Sequence, residues 1–252
     1  MAGTVVVEWS VHIFIDESGT FTPSPSSSAI SLVRALIIPT SESAQLEEKY
    51  ARLRPQLLKD GNEVKGRQLS ESDVASVVTM LRRHDVLLEV TAIDMGMHDT
   101  SEIIAHKKAQ AAAITGTVPD HAQATKHVQV RRLRQRLEAI SPQLYVQSVL
   151  TFDLIERVIE HGTMYYSQRR PRELDAFRWV IDAKGKGRIT EWEDWWSFFV
   201  MPVLQSKSLR RPMKIFAEGD YSHFHRLSIE APDHLKPHTL APRRTRDVTK
   251  AS

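Results

Sequence analysis

The sequence predicts an α/β domain, a mixed sheet flanked by helices and carrying a long helical insertion, and three observations predict it. Apolar, β-branched runs recur at residues 5–15, 29–39, 86–94 and 177–182. Helical spacing fills the chain between the second and third of these runs. A block from about residue 100 to residue 168 then reads as helical almost throughout, separating the third run from the fourth.

Within VHIFID, Val11, Ile13 and Ile15 alternate with His12, Phe14 and Asp16, the two-residue period of a mostly buried strand. Gly19 and TPSPSSS mark a loop, and AISLVRALIIP is a second strand ended by Pro39, so the pair predicts an antiparallel hairpin. Ser43 is placed to cap a helix running to about Leu58, with Leu46, Tyr50, Leu53 and Leu57 at helical spacing and Pro55 disturbing its end. After the loop KDGNEVKGRQLS, Ser70 and Asp73 form a capping signal for a helix through Arg83, and VLLEVTAID is the third strand.

The helical block is broken near Gly116–Pro119 and again at Pro142. Val130, Leu133, Leu137, Ile140 and Leu144 form a stripe on it, and Arg131, Arg132, Arg134 and Arg136 largely decorate the other faces, which predicts helix packing before ligand contact. FRWVID returns to a strand pattern, and AKGKGR leads to a helix from about Thr190. Its stripe of Trp192, Trp195, Trp196, Phe199 and Val203 reads as core rather than as a cofactor site. MKIFAEG predicts a last strand. Beyond Pro232 no periodicity remains, and residues 231–252 read as a basic, flexible tail.

Composition excludes several classes of chemistry. With no cysteine, neither disulfides, thiolate zinc sites nor cysteine nucleophiles are available, so any metal sits on oxygen or imidazole. Serine hydrolase chemistry lacks its G-x-S-x-G context, and AKGKGR lacks the spacing of a phosphate-binding loop. No run approaches a membrane span and the N-terminus shows no signal core, so the expected location is cytoplasmic. The net charge of +3 is accounted for by the tail, where Lys236, Arg243, Arg244, Arg246 and Lys250 outnumber Asp233 and Asp247. Global charge therefore says little about a nucleic-acid surface on the body. Four histidines near the C-terminus, His223, His225, His234 and His238, match no zinc spacing and read as exposed tail residues.

The informative feature is Asp16 and Glu17 at the end of an apolar strand, immediately before a turn. Two readings stand side by side, a solvated turn in which Asp16 and Ser18 accept backbone hydrogen bonds and a divalent-cation site. Asp182 closes FRWVID in the same manner, and Asp94 closes VLLEVTAID. Carboxylates at neighbouring strand ends suit hard cations, which bind through one or two such groups together with water and phosphate.

IFIDESG resembles the opening of the domain of unknown function 3800 family, whose fold is believed to be ribonuclease H-like. EVKG at Glu63–Gly66 is similar to that family's Glu-x-Lys element, and WVID to its later strand ending in Asp; the three stand in the family's order over about residues 10–230. The resemblance implies a ribonuclease H-like domain over residues 1–230 acting as a nuclease on DNA or RNA. It implies Asp16, Glu63 and Asp182 as ligands of Mg²⁺ or Mn²⁺, Glu17 assisting, and Lys65 near a phosphate; the plain reading of Lys65 is a surface lysine paired to a neighbour. The family's closing helix, with a Gln and then an Asp, has no counterpart after Asp220. A binding or interaction module that keeps the fold but lacks a complete acid cluster, of the kind expected in phage defence or a mobile element, is the alternative expectation.

Overall fold

A computed structural model describes residues 9–26, 28–59, 61–116, 124–181, 213–223 and scattered positions between 195 and 211. Four strands, β1 (Val11–Ser18), β2 (Ile30–Pro39), β3 (Leu87–Asp94) and β4 (Phe177–Ile181), form one mixed sheet in the order β3-β2-β1-β4. β1 and β2 are an antiparallel hairpin, β3 continues antiparallel to β2, and β4 lies parallel to β1. The α/β class and the mixed sheet expected from the sequence are both present, and the strand order is consistent with a ribonuclease H-like sheet.

Five helices accompany the sheet among the described residues: α1 (Thr40–Leu57), α2 (Glu71–Leu81), α3 (Thr100–Gly116), α4 (Ala124–Ala139) and α5 (Pro142–Arg169). Ser141 caps α5 by accepting from the Leu144 amide at 3.1 Å, and Pro142 fits its first turn, where no amide is needed. α5 lies against β2 and β3 and buries Leu150, Leu154, Ile155 and Val158 against the sheet's odd-numbered side chains. Those include Val11, Ile13, Ile15, Val33, Ala35 and Ile37, so one face of the sheet is closed. Trp195 joins this core and Trp196 packs against it, as the aromatic stripe predicts, and Val200, outside that stripe, joins too; Trp192 and Phe199 lie outside the described residues.

The predicted capping box of α2 is present: Ser70 accepts from the Asp73 amide at 3.2 Å while Asp73 accepts from the Ser70 amide at 2.9 Å. These bonds from Ser70, with Lys59 beside it, hold the Asp73 carboxyl down at about 2.

Two expectations are corrected. α1 begins at Thr40, before Ser43, because a distant carboxylate does the capping: Glu173 accepts from the Thr40 and Ser41 amides at 2.8 and 3.1 Å. The Ser43 hydroxyl instead donates back to the Pro39 carbonyl. Residues 213–216 of MKIFAEG form no strand. The segment is tied outside the sheet, through Lys214 to Glu160 and through the Asp220 amide to the Ser167 carbonyl at 2.9 Å, both on α5, and its Ile215 and Phe216 side chains stay exposed.

At the end of the sheet where β1 and β3 begin, a charged network joins α1, β3 and α5. Glu42 accepts from Arg170 and from His84 Nδ1, each at 2.6 Å, and Lys49 reaches His84 Nε2 at 3.0 Å. An ammonium can only donate, so Lys49 fixes the tautomer in which Nδ1 carries hydrogen toward Glu42. Arg170 Nε also donates to Asp85 at 2.8 Å, and Tyr165 donates to the other Asp85 oxygen at 3.1 Å. Burial alone would raise the Asp85 carboxyl, but the bonds from Arg170 and Tyr165 bring it below the ordinary range.

Candidate acidic site on the open sheet face

Asp16 does not end its strand. β1 continues to Ser18, and the ladder to β2 pairs Asp16 with Arg34, Glu17 with Val33 and Ser18 with Leu32. Successive strand residues point to opposite faces, so the acidic pair divides. Asp16 stands on the face away from α5, and Glu17 points to the closed face, where it is half-buried.

The Asp16 carboxylate is occupied from within the chain. Arg34 Nε donates to Oδ2 at 3.1 Å, and the terminal NH2 group of the same guanidinium donates to that oxygen too. Both side chains remain about half exposed, at 49% for Arg34 and 56% for Asp16. The pair is therefore a cross-strand ion pair in water, of modest strength.

Gly19 of the IFIDESG motif has a structural reason. Its φ is +105°, and a Cβ there would meet Ser31 at 2.5 to 2.8 Å. Ser31 in turn accepts from the Phe21 amide at 3.0 Å, which fixes the chain's exit from β1 across β2.

The other expected residues lie as follows. Glu63 and Lys65 pair with each other in the exposed loop after α1, the arrangement of the plainer reading of Lys65. Asp94 accepts from the Gly96 amide at 2.9 Å and so closes a turn. Asp182 lies outside the described residues, as do His225, His234 and His238. Ile181, the residue before Asp182 in sequence, sits opposite Ile15, the residue before Asp16.

Among the described residues no group of three or more His, Asp or Glu side chains is placed to hold a metal ion. Asp16 and Glu63 by themselves do not make a divalent-cation site. No described helix is long and apolar enough to cross a membrane. A depression lined by Thr115, His127, Arg131, Arg134 and Glu138 lies on α3 and α4 and includes no residue of the sheet.

Sequence reasoning missed the surroundings of Asp16. The open face is made of the even-numbered residues of β1, β2, β3 and β4, and register sets them in rows: Val180, Phe14, Leu36 and Leu88 form one, and Asp16, Arg34 and Val90 the next. Phe14, Val180 and Leu88 are 41%, 43% and 62% exposed. The alternation of VHIFID already separated His12, Phe14 and Asp16 from the buried set; the neighbours contributed by other strands needed the register. The chain matches no family model, no curated protein and no solved structure.

Proposed function

We propose that this protein is a divalent-metal-dependent nuclease that hydrolyses phosphodiester bonds in DNA or RNA, with Asp16 as its central acid. One observation carries the reading: β1 and β4 run parallel side by side with Ile15 opposite Ile181, so two strands whose sequences lead into Asp16 and Asp182 finish at the same end of the sheet. Asp16 faces solvent there and not the core, and a buried carboxylate would be closed to a phosphate. The described acids supply one member of such a site. Glu63 is assigned by resemblance alone, as is the use of Mg²⁺ or Mn²⁺.

A second reading is favoured by the Arg34 pair. Arg34 already neutralises Asp16, and Lys65 neutralises Glu63, so the face holds without a cation. On that reading the chain is a ribonuclease H-like binding module that engages nucleic acid without cutting it.

Incubation of labelled single- and double-stranded DNA and RNA with the protein, in Mn²⁺ and in EDTA, separates the two. Cleavage in Mn²⁺ that Asp16→Ala and Asp182→Ala each abolish supports the nuclease. Binding with no cleavage of any substrate by the folded wild-type protein supports the module and removes the nuclease reading.

A further inference from the structure

The open face carries more than an acid. His12, Phe14 and Asp16 occupy successive same-face positions on β1, a strand inside the sheet, and register places Arg178 beside His12 and Arg34 beside Asp16. The His12 and Phe14 rings lie 6.4 Å apart at an interplanar angle of 23°, close to parallel. Between the two arginine-bearing rows runs the apolar row Val180–Phe14–Leu36–Leu88.

Among the described residues, Phe14, Val180 and Leu88 are exposed and stand outside the hydrophobic core. The main hydrophobic core lies on the other face, and a solvent-facing sheet surface ordinarily alternates to polar side chains. An exposed Phe14 ring, with the half-buried His12 ring nearly parallel to it and arginines on both flanks, complements a chain of flat bases joined by anions. Base stacking on an aromatic ring contributes without regard to sequence, because every base has a π face. A duplex hides those faces inside its own stack, so the complement is a single strand.

We propose that this face binds single-stranded nucleic acid, with bases stacked on Phe14 and His12 and backbone phosphates met by Arg178 and Arg34. A strand lying along β1 then brings a phosphodiester to Asp16, and a phosphate at Arg34 competes for the guanidinium that now holds the carboxylate. The proposal deepens the reading of Asp16 as an acid acting on phosphodiesters and rests on that reading for its consequence, though not for the binding itself. An apolar protein partner would match the central row but would not engage the arginines on its flanks.

The experiment is fluorescence anisotropy of labelled oligothymidylate and oligouridylate, about a dozen nucleotides long, in EDTA so that no cleavage intrudes. The expected result is salt-sensitive binding, weaker for a duplex of equal length. Phe14→Ala weakens it about tenfold, and Phe14→Trp restores it. Wild-type protein that binds neither oligomer, or Phe14→Ala that binds as wild type does, overturns the proposal. So does a concentration-dependent dimer in light scattering that Phe14→Ala dissolves, which makes the face a self-interface. Phe14-dependent binding in a protein that never cleaves leaves this inference standing and removes the nuclease. Asp16-dependent cleavage with binding indifferent to Phe14 does the reverse.

Discussion

The two faces of the sheet share the same strands and differ in what their residues answer to. On the closed face Val11, Ile13 and Ile15 of β1 are buried, in one cluster with Leu154 and Val158 of α5 and with Trp195. Of the alternate residues, Phe14 and Asp16 are exposed and His12 is half-buried, and Asp16 is paired with a cross-strand arginine. The closed face is accounted for by the hydrophobic effect. The exposed Phe14, Val180 and Leu88 of the open face are not, and the proposed ligand would account for them.

Neighbouring positions make the sharpest test of that contrast. Ile13→Ala removes a fully buried side chain and costs about 4 kcal/mol of unfolding free energy. Phe14→Ala, one residue on, costs under about 1 kcal/mol, because much of the ring is already in water. Urea denaturation of the two variants measures both. Equal losses would mean that Phe14 is a core residue and would remove the open face as a working surface.

The acids divide in the same way. The Glu42 and Asp85 oxygens take bonds from Arg170, His84 and Tyr165, and His84 is itself buried. His84→Ala leaves the Glu42 carboxylate with Arg170 but removes the ring that links it to Lys49, and is expected to cost about 2 kcal/mol. Asp16→Ala breaks a half-exposed pair and is expected to cost under about 1 kcal/mol in the same assay. A smaller effect comes from a fourth acid, away from the sheet. The Asp73 carboxyl is held at about 2 against an ordinary 3.8, so its ionised form favours the folded state. That stability is complete above about pH 4 and is lost as pH falls toward 2. Asp73→Asn is therefore less stable than wild type near neutrality, and the gap closes in urea melts taken down to pH 2.

Much of the fold was legible because it rests on local signals. The four strand runs, the break at Pro142 and the Ser70–Asp73 box are each set by residues within a few positions of one another. What stayed hidden depends on partners far apart in sequence. Glu173 starts α1 from 133 residues away and Arg170 reaches Glu42 across 128, and neither leaves a mark in spacing or composition. MKIFAEG has the composition of a strand, but a strand needs a neighbour to pair with, and Lys214 and Asp220 hold the segment on α5 instead. Of the candidate site, strand alternation alone separates Asp16 from Glu17. The ion pair with Arg34 and the rows on either side of it appear only once β2 and β4 are in register.

The central claim is that Asp16 serves chemistry and not stability, and Mn²⁺-dependent melting tests it most directly. A cation that binds the folded state alone raises the midpoint in proportion to its occupancy. Wild type is expected to melt several degrees higher in Mn²⁺ than in EDTA, with Asp16→Ala melting at the same temperature in both. A wild-type midpoint unmoved by Mn²⁺, or a shift of equal size in Asp16→Ala, would contradict the claim.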